Sequence, residues 1–140
     1  MIISLVIPKD YDLFFPAIEQ YLELASQYTY GRYSAKDIQD EMKDNDKQNL
    51  WVAYKDNDIY GFVVTEIIEY PQMTTLMMHF TAGKELPKWK DLMLNTLRRF
   101  AKESNCKTIE SYGRKGWGKV FKNDGYKIKF IFYELPLEAV

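Results

Sequence analysis

Apolar residues recur along this chain with two different periods, and the switches between them lay out the elements. Residues 2–7 (IISLVI) form a β-branched run closed by Pro8, which predicts a strand. From there the spacing turns helical. Phe14, Phe15, Ile18, Tyr21, Leu22, Leu24 and Ala25 share a face, Asp10 stands where a cap belongs, and Pro16 falls early, where proline is best tolerated. The stretch SQYTYGRY (26–33) breaks the pattern at Gly31. Ser34 then opens a short second helix, with Asp37 three residues on as capping partner and Ile38 and Met42 facing inward. After a polar loop at 44–49, residues 49–54 and 59–70 read as two strands of an antiparallel hairpin, turning at 56–58 and ended by Pro71.

Residues 74–81 (TTLMMHFT) are almost wholly apolar, as expected of a strand with neighbours on both sides. Helical spacing returns in Trp89, Leu92, Met93, Leu97, Phe100 and Ala101 and stops at Ser104–Asn105. A strand at 107–112, a short helix at 117–122 and a closing strand at 126–135 complete the order β-α-α-β-β-β-α-β-α-β. A central hairpin followed by a βαβ crossover predicts an α/β (α+β) fold. It is a mixed, mostly antiparallel sheet flanked by helices, in one domain spanning 1–140.

Composition narrows the chemistry. The chain has 140 residues, 46% hydrophobic and 28% charged, enough to bury a core. Its net charge of −1 gives no overall field toward nucleic acid or anionic membrane. Arg114, Lys115, Lys119, Lys122, Lys127 and Lys129 form the one basic stretch, interleaved with aromatics, so nucleic acid is the less favoured partner class. Lone Cys106 and lone His79 have no metal-ligand spacing, so no metal site is expected, and a single free cysteine fits a reducing compartment. The N-terminus lacks a basic start and a cleavage site, and no apolar stretch approaches the roughly 20 residues that span a bilayer. A cytoplasmic protein without a membrane partner is the expectation.

One junction stands out, FTAGKELPKW at 80–89. It runs from strand end through a glycine to a helix start, the layout that cradles phosphate with backbone N–H groups and the helix dipole. It carries a single glycine, Gly83, beside Ala82, with Lys84 and Lys88 among acidic residues. It reads equally as an ordinary turn with solvated lysines. The candidates for a general base are Glu66 and Glu69 on the third strand and His79 on the fourth, since histidine ordinarily titrates nearest neutrality. Strand alternation puts Glu66 and Glu69 on opposite faces, so they are not a pair.

The element order resembles the GCN5-related N-acetyltransferase (GNAT) fold. The residues most similar to it are GRKGWGKVFKNDGYKIKFIFYE (113–134). There Phe121, Lys122, Asn123, Asp124, Gly125 and Tyr126 occupy the place of the family's Tyr-Glu-Lys-Leu-Gly-Phe pattern. Together with AGKELPKW and RRFAKESNCKTIE, this motif is similar to a divergent branch of the fold found in tailed phages.

The resemblance implies acetyl-CoA as cofactor and an amine as acceptor. Main chain at Met78, His79, Phe80 and Thr81 would then bond the pantetheine. Ala82, Gly83, Lys84 and Lys88 would meet the pyrophosphate, Arg114 a phosphate, and Trp117 or Trp89 the adenine. His79 or Glu66 would be the base. The family's acidic tyrosine falls on Phe121, which has no proton to give, with Tyr112 and Tyr126 nearby. Tyr28, Tyr30, Arg32 and Tyr33 would line the acceptor side. Two readings stay open at this point. One is an N-acyltransferase. The other is a catalytically degenerate phage protein in host cytoplasm or virion, whose partner is a host or virion protein.

Overall fold

In the computed structural model, residues 1–112 and 122–137 are described. Eight regular elements follow in order. They are β1 (Ile2–Val6), α1 (Tyr11–Ser26), α2 (Ala35–Asp44), β2 (Gln48–Lys55), β3 (Asp58–Glu69), β4 (Thr74–Gly83), α3 (Lys90–Glu103) and β5 (Thr108–Ser111). The five strands make one sheet in sequence order, β1-β2-β3-β4-β5. Every pairing is antiparallel except β4 with β5, which is parallel because α3 carries the chain across between them. The mixed, mostly antiparallel architecture predicted from the periodicity is the one observed.

Local chemistry accounts for the helix ends. Ser34 and Asp37 form the predicted capping box. The Asp37 N–H donates to Ser34 Oγ at 3.1 Å, and the Ser34 N–H donates to Asp37 Oδ2 at 2.9 Å. Asp10 does not cap α1 as expected. It closes a 3-10 turn, Pro8–Asp10, in which its own N–H donates to Ile7 O. At the far end of α3, Asn105 takes a left-handed conformation (φ 60°). The next N–H, of Cys106, reaches back to Ala101 O at 2.8 Å, so a short polar residue does the work glycine often does there.

The sheet separates two apolar layers. Phe15, Ile18 and Leu22 of α1 and Ile38 and Met42 of α2 pack on Leu50, Val52, Phe62 and Val64. On the other face Trp89, Met93, Leu94 and Leu97 pack on Trp51, Val63, Leu76 and Met78. The second layer has an unusual seat. Trp89 is 1% exposed, and its ring lies on Gly61 and Gly83, where any Cβ would collide with it.

The C-terminal segment departs from expectation. Residues 126–135, whose pattern predicts a closing strand, have no ladder partner among the described residues. Side chains hold the segment instead. The Tyr126 hydroxyl donates to Met78 Sδ at 3.3 Å, and Arg32 both pairs with Glu134 at 3.0 Å and lies over the Phe132 ring. A run such as IKFIFY has the composition of a strand. Strand preference, however, reflects a fit to a neighbouring surface, and β5 offers only four residues to pair with. Residues 113–121, with most of the predicted short helix, lie outside the described residues. Among those described, no helix is long and apolar enough to cross a membrane.

Candidate functional site

The site begins where two parallel strands part. β4 pairs with β5 from Thr75↔Thr108 to Met78↔Ser111, and there β5 ends. β4 continues to Gly83, so among the described residues 79–83 have a strand neighbour only on the β3 side. A crevice at the carboxyl ends of parallel strands is where open α/β sheets take ligands, because backbone groups there are unpaired. Of the predicted residues, Phe80, Thr81 and Ala82 lie on this edge, while Met78 is still paired with Ser111 of β5.

At the same point β4 bulges. Thr65 pairs with Met78 and Val64 with Phe80, which leaves His79 as the extra residue. A bulge breaks the alternation of faces and re-aims side chains. Its effect is visible on either side. Leu76 and Met78 belong to the layer under α3, whereas Phe80 and Ala82 belong to the layer under α1 and α2. His79 and Phe80 therefore face the same side, with ring centroids 6.0 Å apart.

That side holds a polar cluster. His79 Nε2 lies 2.9 Å from Glu66 Oε1, bringing together the two predicted base candidates. The Gln48 amide nitrogen donates to Glu66 Oε1 at 3.0 Å and to Glu41 Oε1 at 2.8 Å. Tyr33 joins by packing edge-on to Phe80 at 5.1 Å, and burial, followed by the neighbouring Glu41, raises its hydroxyl above the ordinary value. Burial pulls the Glu66 carboxyl upward. Hydrogen bonds from Gln48 and His79, the charge the imidazole carries when protonated and a hydrogen bond from Asn45 outweigh that pull, holding the group below its ordinary 4.5. Since a carboxylate only accepts, Nε2 carries the hydrogen, and neutral His79 keeps its lone pair at Nδ1. Glu69 stands apart, exposed and paired with Lys47.

Gln48 and Glu41 were missed by sequence reasoning, although Gln48 leaves a signal. It alternates with Leu50 and Val52 on β2 and is 3% exposed, so a polar residue stands at a core position. Its removal has a predictable cost. Gln48→Met takes a donor from two carboxylates and should destabilise the fold by about 1–3 kcal/mol at neutral pH. Because the folded pKa of Glu66 is lowered, its contribution is present above pH 4.5 and is lost as pH falls through the folded value. The gap between wild type and Gln48→Met should therefore narrow in urea unfolding as the pH is taken below 4.5.

The strand-to-helix junction is built differently from a phosphate cradle. A Cβ on Gly83 would lie 2.3 Å from Tyr60 O and 3.0 Å from the Trp89 ring, so this glycine serves packing against β3. The Lys84 N–H is already bonded to Tyr60 O at 2.7 Å, and its ammonium pairs with Asp58 at 2.6 Å. Lys88 pairs with Glu85 at 2.7 Å. Both lysines stand at the junction, each with an acidic neighbour to release. Trp89, considered for adenine, is a core residue. Arg114, Trp117 and Phe121 lie outside the described residues.

Of the four expected acceptor-side residues, only Tyr33 reaches the cluster. Tyr30 is 85% exposed, Tyr28 is half-exposed, and Arg32 is engaged with the C-terminal segment. Tyr112 is exposed on the surface. Tyr126 is packed against the α3 layer, where burial pushes its hydroxyl up to about 12. Among the described residues no group of three or more His, Cys, Asp or Glu is placed to hold a metal ion.

No protein-family model matches the chain, and no curated sequence does. Solved structures match it over nearly its whole length. One, described as a probable acetyltransferase, is 17% identical with a TM-score of 0.74 and 99% of each chain covered. A predicted acetyltransferase with acetyl-CoA from Clostridium acetobutylicum is 18% identical, TM-score 0.71, covering 96% of this chain and 95% of the other. A GNAT family acetyltransferase from Staphylococcus aureus is 14% identical, TM-score 0.70, covering 97% and 98%. At such identities the likeness is one of fold, and the fold is that of the GNAT acetyltransferases.

Proposed function

We propose that this protein transfers an acetyl group from acetyl-CoA to a primary amine. The observation that carries the reading is His79, a base anchored by Glu66 and set on a bulge where β4 loses its β5 neighbour. The fold's solved neighbours, one of them with acetyl-CoA, support it. The cofactor would supply a thioester, whose thiolate is a fair leaving group near neutral pH.

The chain's own residues then divide the remaining work. The β4 edge beyond Met78, at Phe80, Thr81 and Ala82, which has no β5 neighbour among the described residues, offers main-chain groups to the amides of a pantetheine arm. Lys84 and Lys88 supply positive charge for the phosphates. Their ion pairs are exposed and screened by water, so exchanging Asp58 and Glu85 for phosphate costs little. His79 Nδ1 accepts the proton that the amine must lose, while Nε2–H remains on Glu66 and keeps the ring oriented.

A direct test is thiol release from acetyl-CoA in the presence of primary amines. Amine-dependent release is expected, and acetyl-CoA that binds but yields no thiol with any amine would overturn the reading. The ion pairs give a second check. Asp58→Asn frees Lys84 and should tighten acetyl-CoA binding, whereas Lys84→Met should weaken it, each by about two- to fivefold in calorimetry.

A second reading, a protein-binding module without catalysis and with a host or virion partner, is favoured by one observation. Ile128, Phe130, Phe132, Tyr133, Leu135 and Leu137 are all exposed in the C-terminal segment. It takes precedence if acetyl-CoA neither binds nor turns over.

A further inference from the structure

His79 stands at a bulge, where the ladder with β3 skips it, so the backbone fixes its ring less than an ordinary strand position would. The ring leans on Glu66, which is itself a long, flexible side chain, 21% exposed. A base anchored to a carboxylate that turns freely is not anchored. Something has to hold Glu66 in its turn.

Register supplies the partner. Gln48 lies directly opposite Glu66 in the β2–β3 ladder, on the face that carries Leu50 and Val52. Its amide nitrogen donates to Glu66 Oε1 at 3.0 Å, and that same oxygen lies 2.9 Å from His79 Nε2. One carboxylate oxygen thus joins Gln48 to His79. The amide nitrogen also donates to Glu41 Oε1 on α2, at 2.8 Å. Both partners are carboxylates, which only accept, so the orientation of the amide is fixed. Exposure rises along this row from 3% at Gln48 to 24% at the His79 side chain, and the order of the core is passed outward to the ring.

Packing alone does not account for a glutamine at this position. Among the described residues its carbonyl oxygen is buried without a donor, a cost that methionine, of similar length and shape, would not incur. Its donation does account for it. Burial pulls the Glu66 carboxyl upward, and the hydrogen bond from Gln48 is the largest of the contributions that offset this. Glu66 in turn keeps the hydrogen on His79 Nε2 and leaves Nδ1 open. We propose that Gln48 is a positioning residue, holding Glu66, and through it the His79 ring, in the pose from which Nδ1 takes the amine's proton.

The consequence for catalysis rests on the acetyl-transfer reading, but the first test needs neither cofactor nor amine. His79 is the only histidine in the chain, so the imidazole ¹⁵N–¹H spectrum holds a single Nε2–H signal. In the wild type the hydrogen bond to Glu66 shields that proton from solvent and keeps the signal visible. In Gln48→Met, shown to be folded by urea titration, the signal should be lost to exchange with water. Gln48→Asn keeps an amide but shortens its reach, and should lose the signal too if Gln48→Met does not fold. Val52→Ala loosens the same face of β2 without touching the row, and should keep it. An unaltered signal in folded Gln48→Met or Gln48→Asn overturns the proposal, as does an equal loss in Val52→Ala. With acetyl-CoA and butylamine as the probe acceptor, kcat should fall about ten- to a hundredfold in Gln48→Met. The KM for acetyl-CoA should stay within about twofold. A lost signal with unchanged kcat would overturn the positioning role and leave acetyl transfer standing. If butylamine is not turned over, the imidazole signal alone decides.

Discussion

His79→Gln lowers kcat/KM for amine acetylation by about 10²–10⁴-fold, the span ordinarily lost with a general base. Glutamine keeps a polar donor for Glu66 but has no lone pair basic enough to take a proton. The strand edge is main chain, so the Kd for acetyl-CoA should stay within about twofold of wild type. A loss confined to chemistry separates a base from a residue that merely shapes the cleft. Wild-type turnover in His79→Gln would remove His79 from the mechanism and return attention to Glu66.

Trp89→Ala has the largest expected effect on stability. The indole is sealed over Gly61 and Gly83, and its Nε1 donates to Lys84 O at 2.9 Å. Truncation leaves a cavity, two bare glycines and an unpaired carbonyl, at a cost of about 3–5 kcal/mol. For a domain of this size that is a fall in Tm on the order of 10–20 °C. Acetyl-CoA should restore only the part that ligand linkage supplies. An unchanged Tm in Trp89→Ala would contradict the seat described here. The same geometry makes Gly83 a poor probe of phosphate binding. Gly83→Ala drives a Cβ into the Tyr60 carbonyl and should cost about 1–3 kcal/mol or more before any ligand is added.

The fold was legible because its elements carry their periods openly. The α3 stripe from Trp89 to Ala101 and the β2–β3 hairpin required only spacing and turn chemistry. The Ser34–Asp37 box was readable because both halves of a capping box are local. Asp10 failed as a cap because Pro8 started a tighter turn first, and one side chain's capacity does not reveal which turn will form. At 126–135 the pattern recorded a capacity to pair. Whether an edge is available is a property of β5, a separate stretch of sequence only four residues long.

The site was half legible. His79 and Glu66 were candidates for their residue types, and their union depends on a bulge that no periodicity announces. Gln48 was read as the end of a polar loop, yet register places it under α2 among core positions. Nothing in the sequence of α2 singles out Glu41. Only the packing of α2 on the sheet brings it to Gln48. Gly83 illustrates the opposite case. A glycine between strand and helix suggested a cradle, but the atoms its missing Cβ spares belong to Tyr60 and Trp89.

The measurement that tests the central claim most directly is a titration of ¹⁵N-labelled protein with acetyl-CoA, followed at the backbone amides. Saturable shifts concentrated at His79 to Ala82, where β4 has no β5 neighbour among the described residues, with smaller ones at Lys84 and Lys88, are the predicted result. A spectrum unmoved at millimolar acetyl-CoA, or shifts confined to another surface, would contradict a cofactor cleft between β4 and β5.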